Sequence, residues 1–211
     1  MEASITFKAV GKTLGNQILL ADLSFGVEKG STFVLIGENG SGKSIILKLL
    51  IGLIQKDTGS IYIQGQDIST RSIETRSICG YMPQTINLDD ELTVMENLSI
   101  YGQLHGLTST QAIKNTLHWA DILGFSQFMR KYPDKLSYGF QRKILFARAL
   151  VHDPEVLIID EPTTGMDPLS RSSVWNVLDK LHKRKTIIFA TQNFTEAERY
   201  ADRIAILHDG N

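Results

Sequence analysis

The sequence predicts an α/β fold, and three observations predict it. From Val156 onward, apolar runs of strand length alternate with helical patterns, which is the signature of parallel strands joined by crossover helices. A short apolar run, Phe33-Val34-Leu35-Ile36, passes through a glycine-rich turn into a helical pattern at Ile45 to Ile54. The opening segment alternates apolar and polar side chains, as a half-buried antiparallel strand does.

Taken in order, Ile5, Phe7 and Ala9 share one face of the first strand. Leu19-Leu20, Leu23, Phe25 and Val27 continue in the same style to a turn at Glu28-Lys29-Gly30, so an antiparallel pair is expected to flank the strand at 33–36. Thr58-Gly59 begins another alternating run through Ile61 and Ile63 to a turn at Gly65-Gln66-Asp67. Ile78 to Met82 reads as a short buried strand ending at Pro83-Gln84. Between Leu92 and Asp153 the period changes. Val94, Leu98, Tyr101 and Leu104 recur at spacings of three and four, and Leu117, Ile122 and Phe125 suggest a further helix, so an inserted helical unit is expected. The closing elements are a strand at Val156 to Ile159, a helix at Leu169 to Leu181, a strand at Thr186 to Ala190, a helix at Phe194 to Tyr200 and a strand at Ile204 to Leu207.

With 211 residues, 42% hydrophobic and 21% charged, the chain has an ordinary composition and length enough for one generous domain. A net charge of −1 gives no general attraction to nucleic acid. Cys79 is the sole cysteine, which excludes a disulfide framework and suits a reduced compartment; in an apolar strand pattern it reads as a small buried hydrophobe. Met1 to Val10 has no signal-peptide pattern, and the apolar run at Ile45 to Ile54 is interrupted by Lys48 and too short to cross a bilayer, so a cytosolic protein is expected.

Two constellations carry chemistry. Gly37-Glu38-Asn39-Gly40-Ser41-Gly42-Lys43-Ser44 reads G-x-x-x-x-G-K-S between a strand and a helix. Its glycines let backbone N–H groups point at an anion beside the positive end of the following helix. Lys43 then reaches the outer phosphates of a polyphosphate and the Ser44 hydroxyl ligates Mg²⁺. The second constellation, Val156-Leu157-Ile158-Ile159-Asp160-Glu161, delivers two acids to the carboxyl end of a buried strand. Asp160 suits a metal's water shell, and Glu161 suits accepting a proton from an attacking water.

With these residues in place, the chain resembles the nucleotide-binding domain of ATP-binding cassette proteins over its full length. Gly37 to Ser44 stands as Walker A, Gln84 as the Q-loop glutamine and Ile158 to Glu161 as the close of Walker B; Leu136-Ser137-Tyr138-Gly139-Phe140 stands where the family has its LSGGQ signature, and Gly165-Met166-Asp167 is similar to its D-loop. Gly80 to Gln84, Leu92 to Leu98 and Asp160 to Pro168 look most like the bacterial multidrug or export-type branch. The resemblance implies a P-loop NTPase fold, with a RecA-like parallel core and antiparallel subdomain at about 1–85 and 154–211, and a helical signature subdomain at about 86–153, all in one domain over 1–211. It implies ATP and Mg²⁺ as cofactors, with Ser44, Gln84 and Asp160 around the metal and Glu161, Gln192 and Gln84 around the attacking water. It implies head-to-tail pairing with a second such domain, a copy or a paralogue, whose nucleotide is covered by Ser137 and Gly139, with Asp167 alongside. A transmembrane permease subunit is the other implied partner, holding the chain at the inner face of the cell membrane.

Four departures from the family pattern temper the expectations. Leu14 stands where many members stack an aromatic ring on adenine. Tyr138 and Phe140 replace small or polar signature residues, so the Tyr138 ring must project away from phosphate. Gln192, after the strand ending at Ala190-Thr191, replaces a histidine; glutamine donates a hydrogen bond but does not titrate near neutral pH, so slow hydrolysis is expected. A nucleotide-gated module with incidental hydrolysis is the rival this raises. A GTPase fails on the absence of Asn-Lys-x-Asp. The chain stops at Asp209-Gly210-Asn211, where members of the family usually continue, so a further C-terminal element is anticipated. His105, His118, His152, His182 and His208 lack metal-ligand spacing, and Trp119 and Trp175 read as packing residues.

Overall fold

The computed structural model describes residues 3–208 and Gly210; Met1, Glu2, Asp209 and Asn211 lie outside the described residues, and with them most of the terminal stretch just mentioned. Strands β1 (Ala3–Leu14), β2 (Gln17–Glu28), β4 (Thr58–Ile63) and β5 (Gln66–Asp67) form an antiparallel sheet in the order β2-β1-β4-β5. A second sheet is parallel, in the order β6-β7-β8-β3-β9, from β3 (Thr32–Ile36), β6 (Cys79–Met82), β7 (Val156–Asp160), β8 (Thr186–Thr191) and β9 (Arg203–Ile206).

The strand period of two explains how this sheet sits. Val34, Ile36, Leu157, Ile159, Ile187 and Phe189 enter one apolar cluster, while Phe33, Leu35, Val156, Ile158, Ile188 and Ala190 enter the other. The first cluster takes in α3 (Val94–Leu104), α4 (Ser109–Leu123), α5 (Tyr138–Leu150) and α6 (Pro168–Leu181); the second takes in α1 (Lys43–Leu50) and the antiparallel sheet. Both faces are covered, as a parallel sheet requires. The first hairpin therefore flanks β3 by packing: Phe7, Phe25 and Phe33 stack in series at 4.5 and 5.1 Å, with no ladder between the two sheets among the described residues.

Local chemistry sets the element ends. Thr93 and Thr108 each form a capping box, with Glu96 and Gln111 respectively, and Asp167 and Asn193 accept backbone N–H bonds at the starts of α6 and α7 (Phe194–Tyr200). Three expectations are corrected. The first helix stops at Leu50 rather than Ile54; Gln66-Asp67 forms a short strand rather than a turn; and a helix, α2 (Ser72–Ser77), stands where none was expected. Only Thr75 of α2 is buried, so no apolar period announces it. Among the described residues no helix is long and apolar enough to cross a membrane.

Candidate functional site

Strand register assembles the site. Ile36 of β3 pairs with Thr191 of β8, Ala190 with Asp160 of β7, and Ile159 with Met82 of β6. Gly37, Gln192, Glu161 and Gln84 therefore emerge together just beyond the carboxyl ends of four strands, the edge where open parallel sheets bind ligands. A cavity of about 150 Å³ opens there, lined by Asn39, Gly40, Gly42, Lys43, Ser44, Ile45, Gln84, Glu161 and Gln192. A larger groove of about 420 Å³ near α1 and α2 has no carboxylate in its lining, so it offers no group to take a proton from water.

The loop at 37–44 is shaped for phosphate. Gly42 has φ +104° at the start of α1, a conformation open to glycine and strained for other residues. No side chain caps this helix and no acid sits in its first turn, which leaves its leading N–H groups available to an anion. The Lys43 ammonium folds back to donate to the carbonyl oxygens of Gly37 at 2.7 Å and Glu38 at 2.8 Å. Burial lowers its pKa, while Glu161 and Asp160 act in the opposite sense.

Asp160 is 1% exposed, and its Oδ1 has no hydrogen-bond partner among the described residues. Burial raises its pKa; the Ser44 hydroxyl, Lys48, Lys43 and Arg142 pull it back. A buried, unsatisfied carboxylate oxygen beside a hydroxyl is a donor set that fits Mg²⁺, which takes one or two carboxylates and completes its octahedron with water and phosphate. Among the described residues no cluster of three or more acidic, histidine or cysteine ligands exists.

Glu161 sits at φ +55°, a strained backbone for a residue other than glycine. Its N–H donates to Ala190 O at 2.9 Å, and its carbonyl accepts from Arg142. Its two carboxylate oxygens face different neighbours: Oε2 accepts from Thr164 Oγ1 at 2.8 Å, and Oε1 lies 3.4 Å from Gln192 Nε2. Gln192 Nε2 also donates to Asn39 Oδ1 at 2.6 Å, so this amide bridges the glycine loop and the acid.

The remaining expected residues lie apart. Leu14 is 70% exposed at the β1–β2 hairpin and does not line the cavity. Ser137 caps α5 by position without a side-chain cap bond, and Gly139 and Asp167 are neighbours of each other; none of the three lines the cavity. The Tyr138 ring lies against Gly165. Two residues escaped sequence reasoning. Arg142, wholly buried, donates to the carbonyl oxygens of Pro83 at 2.8 Å and Gln84 at 2.7 Å and also reaches those of Asp160 and Glu161. It thereby ties α5 to the Gln84 turn and the end of β7. Its signal was a basic residue on the apolar side of a helix pattern. Thr164, the second, carried no pattern at all.

Comparisons with known proteins identify the family and the fold. The pattern of the family described as ABC transporter matches residues 20–164. The Nod factor export ATP-binding protein I of Burkholderia orbicola (strain AU 1054) is 40% identical over 212 residues, 99% of this chain and 69% of that protein. The protein of the same name from Rhizobium sp. (strain N33) is 40% identical over 213 residues, with the same coverage. Among solved structures, an ATP-binding subunit of an ABC transporter superposes at TM-score 0.91 with 29% identity, covering 98% of this chain and 86% of that one. A dimeric bacterial ABC transporter cassette superposes at 0.90 with 26% identity, covering 98% and 95%. A dimeric post-hydrolysis cassette bound to ADP and Pi does so at 0.90 with 25% identity and the same coverage.

Proposed function

The chain belongs to the ABC transporter family, and from that premise we propose that it is the ATP-hydrolysing subunit of an exporter, working against a permease at the inner face of the membrane. The observation that carries the reading is the convergence of Lys43, Asp160, Glu161, Gln84 and Gln192 on one sheet edge. Export as the direction follows the names of the relatives. The helical segment between 86 and 153 and the turn at Gln84 supply the surface that receives a short cytoplasmic helix of the permease, with the rest of the chain as the nucleotide-binding core.

In this reading the α/β phosphates sit on the N–H groups at 40–44, and Lys43 exchanges its two carbonyl partners for phosphate oxygens. Ser44, Asp160 and Gln84 hold Mg²⁺, which supplies charge neutralisation at the outer phosphates. Glu161 Oε1 takes a proton from water as its oxygen bonds to the γ-phosphorus and the bond from that phosphorus to the β–γ bridging oxygen breaks. Gln192 steadies that water or the γ-phosphate with its amide N–H, and carries no positive charge there. Ser137 and Gly139 of a second cassette, a copy or a paralogue, cover the same γ-phosphate.

The test is turnover of purified protein with MgATP, beside the variant Glu161→Gln. Wild type should release phosphate slowly; the variant should lose turnover and still bind ATP. Equal rates for the two proteins would remove Glu161 from its role.

A further inference from the structure

We infer that Thr164 is a positioning residue for the hydrolytic reaction: its hydroxyl fixes one oxygen of the Glu161 carboxylate so that the other faces the attacking water. The inference rests on the reading of Glu161 given above and adds a residue to it. Thr163 and Thr164 are adjacent but differ in what they do. Thr163 is 1% exposed, and its hydroxyl is taken by Glu196, which also accepts from Thr191 at 3.1 Å, so it belongs to the packing under α7. Thr164 is solvent-exposed, yet its Oγ1 donates inward to Glu161 Oε2 at 2.8 Å. An exposed hydroxyl contributes little to the core, so a hydrogen bond aimed at a carboxylate 4% exposed acts on that carboxylate.

The surroundings make the pinning consequential. Glu161 borders two cavities: the phosphate-side one, and a second of about 250 Å³ lined by Thr163, Thr164, Arg171, Asn193 and Glu196 together with Glu161 and Gln192. A carboxylate between two cavities has two rotameric outlets. Its backbone is already held, through Ala190 O and Arg142, so the side-chain torsions are the remaining freedom. Thr164 binds the oxygen on its own side and leaves Oε1 toward Gln192 and the phosphate loop. The loop that presents Thr164 is itself backed: Met166 N–H bonds Thr163 O at 3.1 Å, and the Tyr138 ring covers Gly165.

The test compares wild type, Thr164→Val, Thr164→Ser and Glu161→Gln in steady-state MgATP hydrolysis, with thermal melting of each. Valine keeps the shape and removes the donor, so kcat should fall about tenfold with KM for ATP unchanged. Serine restores the donor and should restore kcat to within about twofold of wild type. The melting temperature should not move, because the site is exposed. A Thr164→Val protein as fast as wild type, a loss confined to KM, or a serine variant as slow as the valine one would overturn the role of Thr164 while Glu161→Gln remains inactive. Turnover by Glu161→Gln equal to wild type would instead sink the reading of Glu161 beneath it.

Discussion

At the scale of single residues, the side chains that depart from the family pattern yield the sharpest expectations. Gln192 spans the cavity by donating to Asn39 and approaching Glu161, and the proposed function makes its amide the γ-phosphate partner. A lost donor of this kind costs 10²–10³ in rate, and a neutral amide recovers part of that. Gln192→His should therefore raise kcat by about tenfold, read from phosphate release; an unchanged or lower rate would count against its placement. A second residue-scale effect lies away from the site. His105 and His152 stack at 3.9 Å, with Tyr101 against His105, and His152 Nε2 donates to Cys79 O at 3.0 Å. Burial, then the nearby His105, pushes His152 down to about 4. A histidine depressed from its usual 6.5 is neutral in both folded and unfolded chain at high pH, so its full contribution is present above 6.5. As pH falls from there toward 4, the unfolded chain gains the proton first and stability drops. Between pH 7.5 and 5 the loss should be about 1 kcal/mol after allowing for partial exposure of the ring. Urea unfolding at pH 7.5 and 5 measures it, and His152→Gln should flatten the slope between them. The spacing of these histidines in sequence, 47 apart, gave no hint of a stack, because contact between α3 and the end of α5 is a tertiary event.

At the scale of elements, what was legible depended on burial. β3, β7 and β8 are buried along their whole length and read as unbroken apolar runs, so their bounds were found within a residue or two. The glycine loop and the two acids were legible because short-range chemistry fixes their spacing. Placement of the first hairpin in an antiparallel sheet apart from the parallel core was legible through the family resemblance but not through alternation, which shows which face is buried and not which strand is the neighbour. Arg142 escaped for the same reason: its four carbonyl partners come from two distant segments, Pro83-Gln84 and Asp160-Glu161. The junction of α5 with the loop before α6 offers a direct test of element packing. Gly165 has φ +75°, and a Cβ there would lie 2.7 Å from Tyr138 Cε1. Gly165→Ala should cost about 1 kcal/mol for the left-handed backbone and at least as much again for displacing the ring. In a Tyr138→Gly background only the backbone share should remain, so denaturant unfolding of the four proteins in a double-mutant cycle should show a coupling of about 1 kcal/mol. Additive effects would mean that the ring moves aside freely.

At the scale of the whole molecule, the proposed function divides one chain into two incomplete half-sites. Lys43, Asp160 and Glu161 gather at the strand edge, while Ser137 and Gly139 open α5 outside that cavity, with Tyr138 between them 44% exposed and Leu169, at the start of α6, 80% exposed. A helix start without a side-chain cap bond has orphan N–H groups, and phosphate carried by another copy can satisfy them. Closure is then driven by nucleotide, since neither half meets a γ-phosphate donor set alone. A net charge of −1 leaves only weak self-repulsion to oppose it. If hydrolysis is blocked and nucleotide retained, the pair should persist. Glu161→Gln with MgATP should therefore run by light scattering at twice the 23.6 kDa chain mass, and chelation of Mg²⁺ should return it to one chain. Adding Lys43→Ala removes the phosphate grip and should leave a monomer at the same nucleotide concentration. A monomer throughout would refute closure between copies of this chain, and recovery of the larger species on adding a related cassette would assign the second half-site to a paralogue. The same measurement thus separates a homodimer from a mixed pair, because the proposed function draws the covering half-site from another chain in either case.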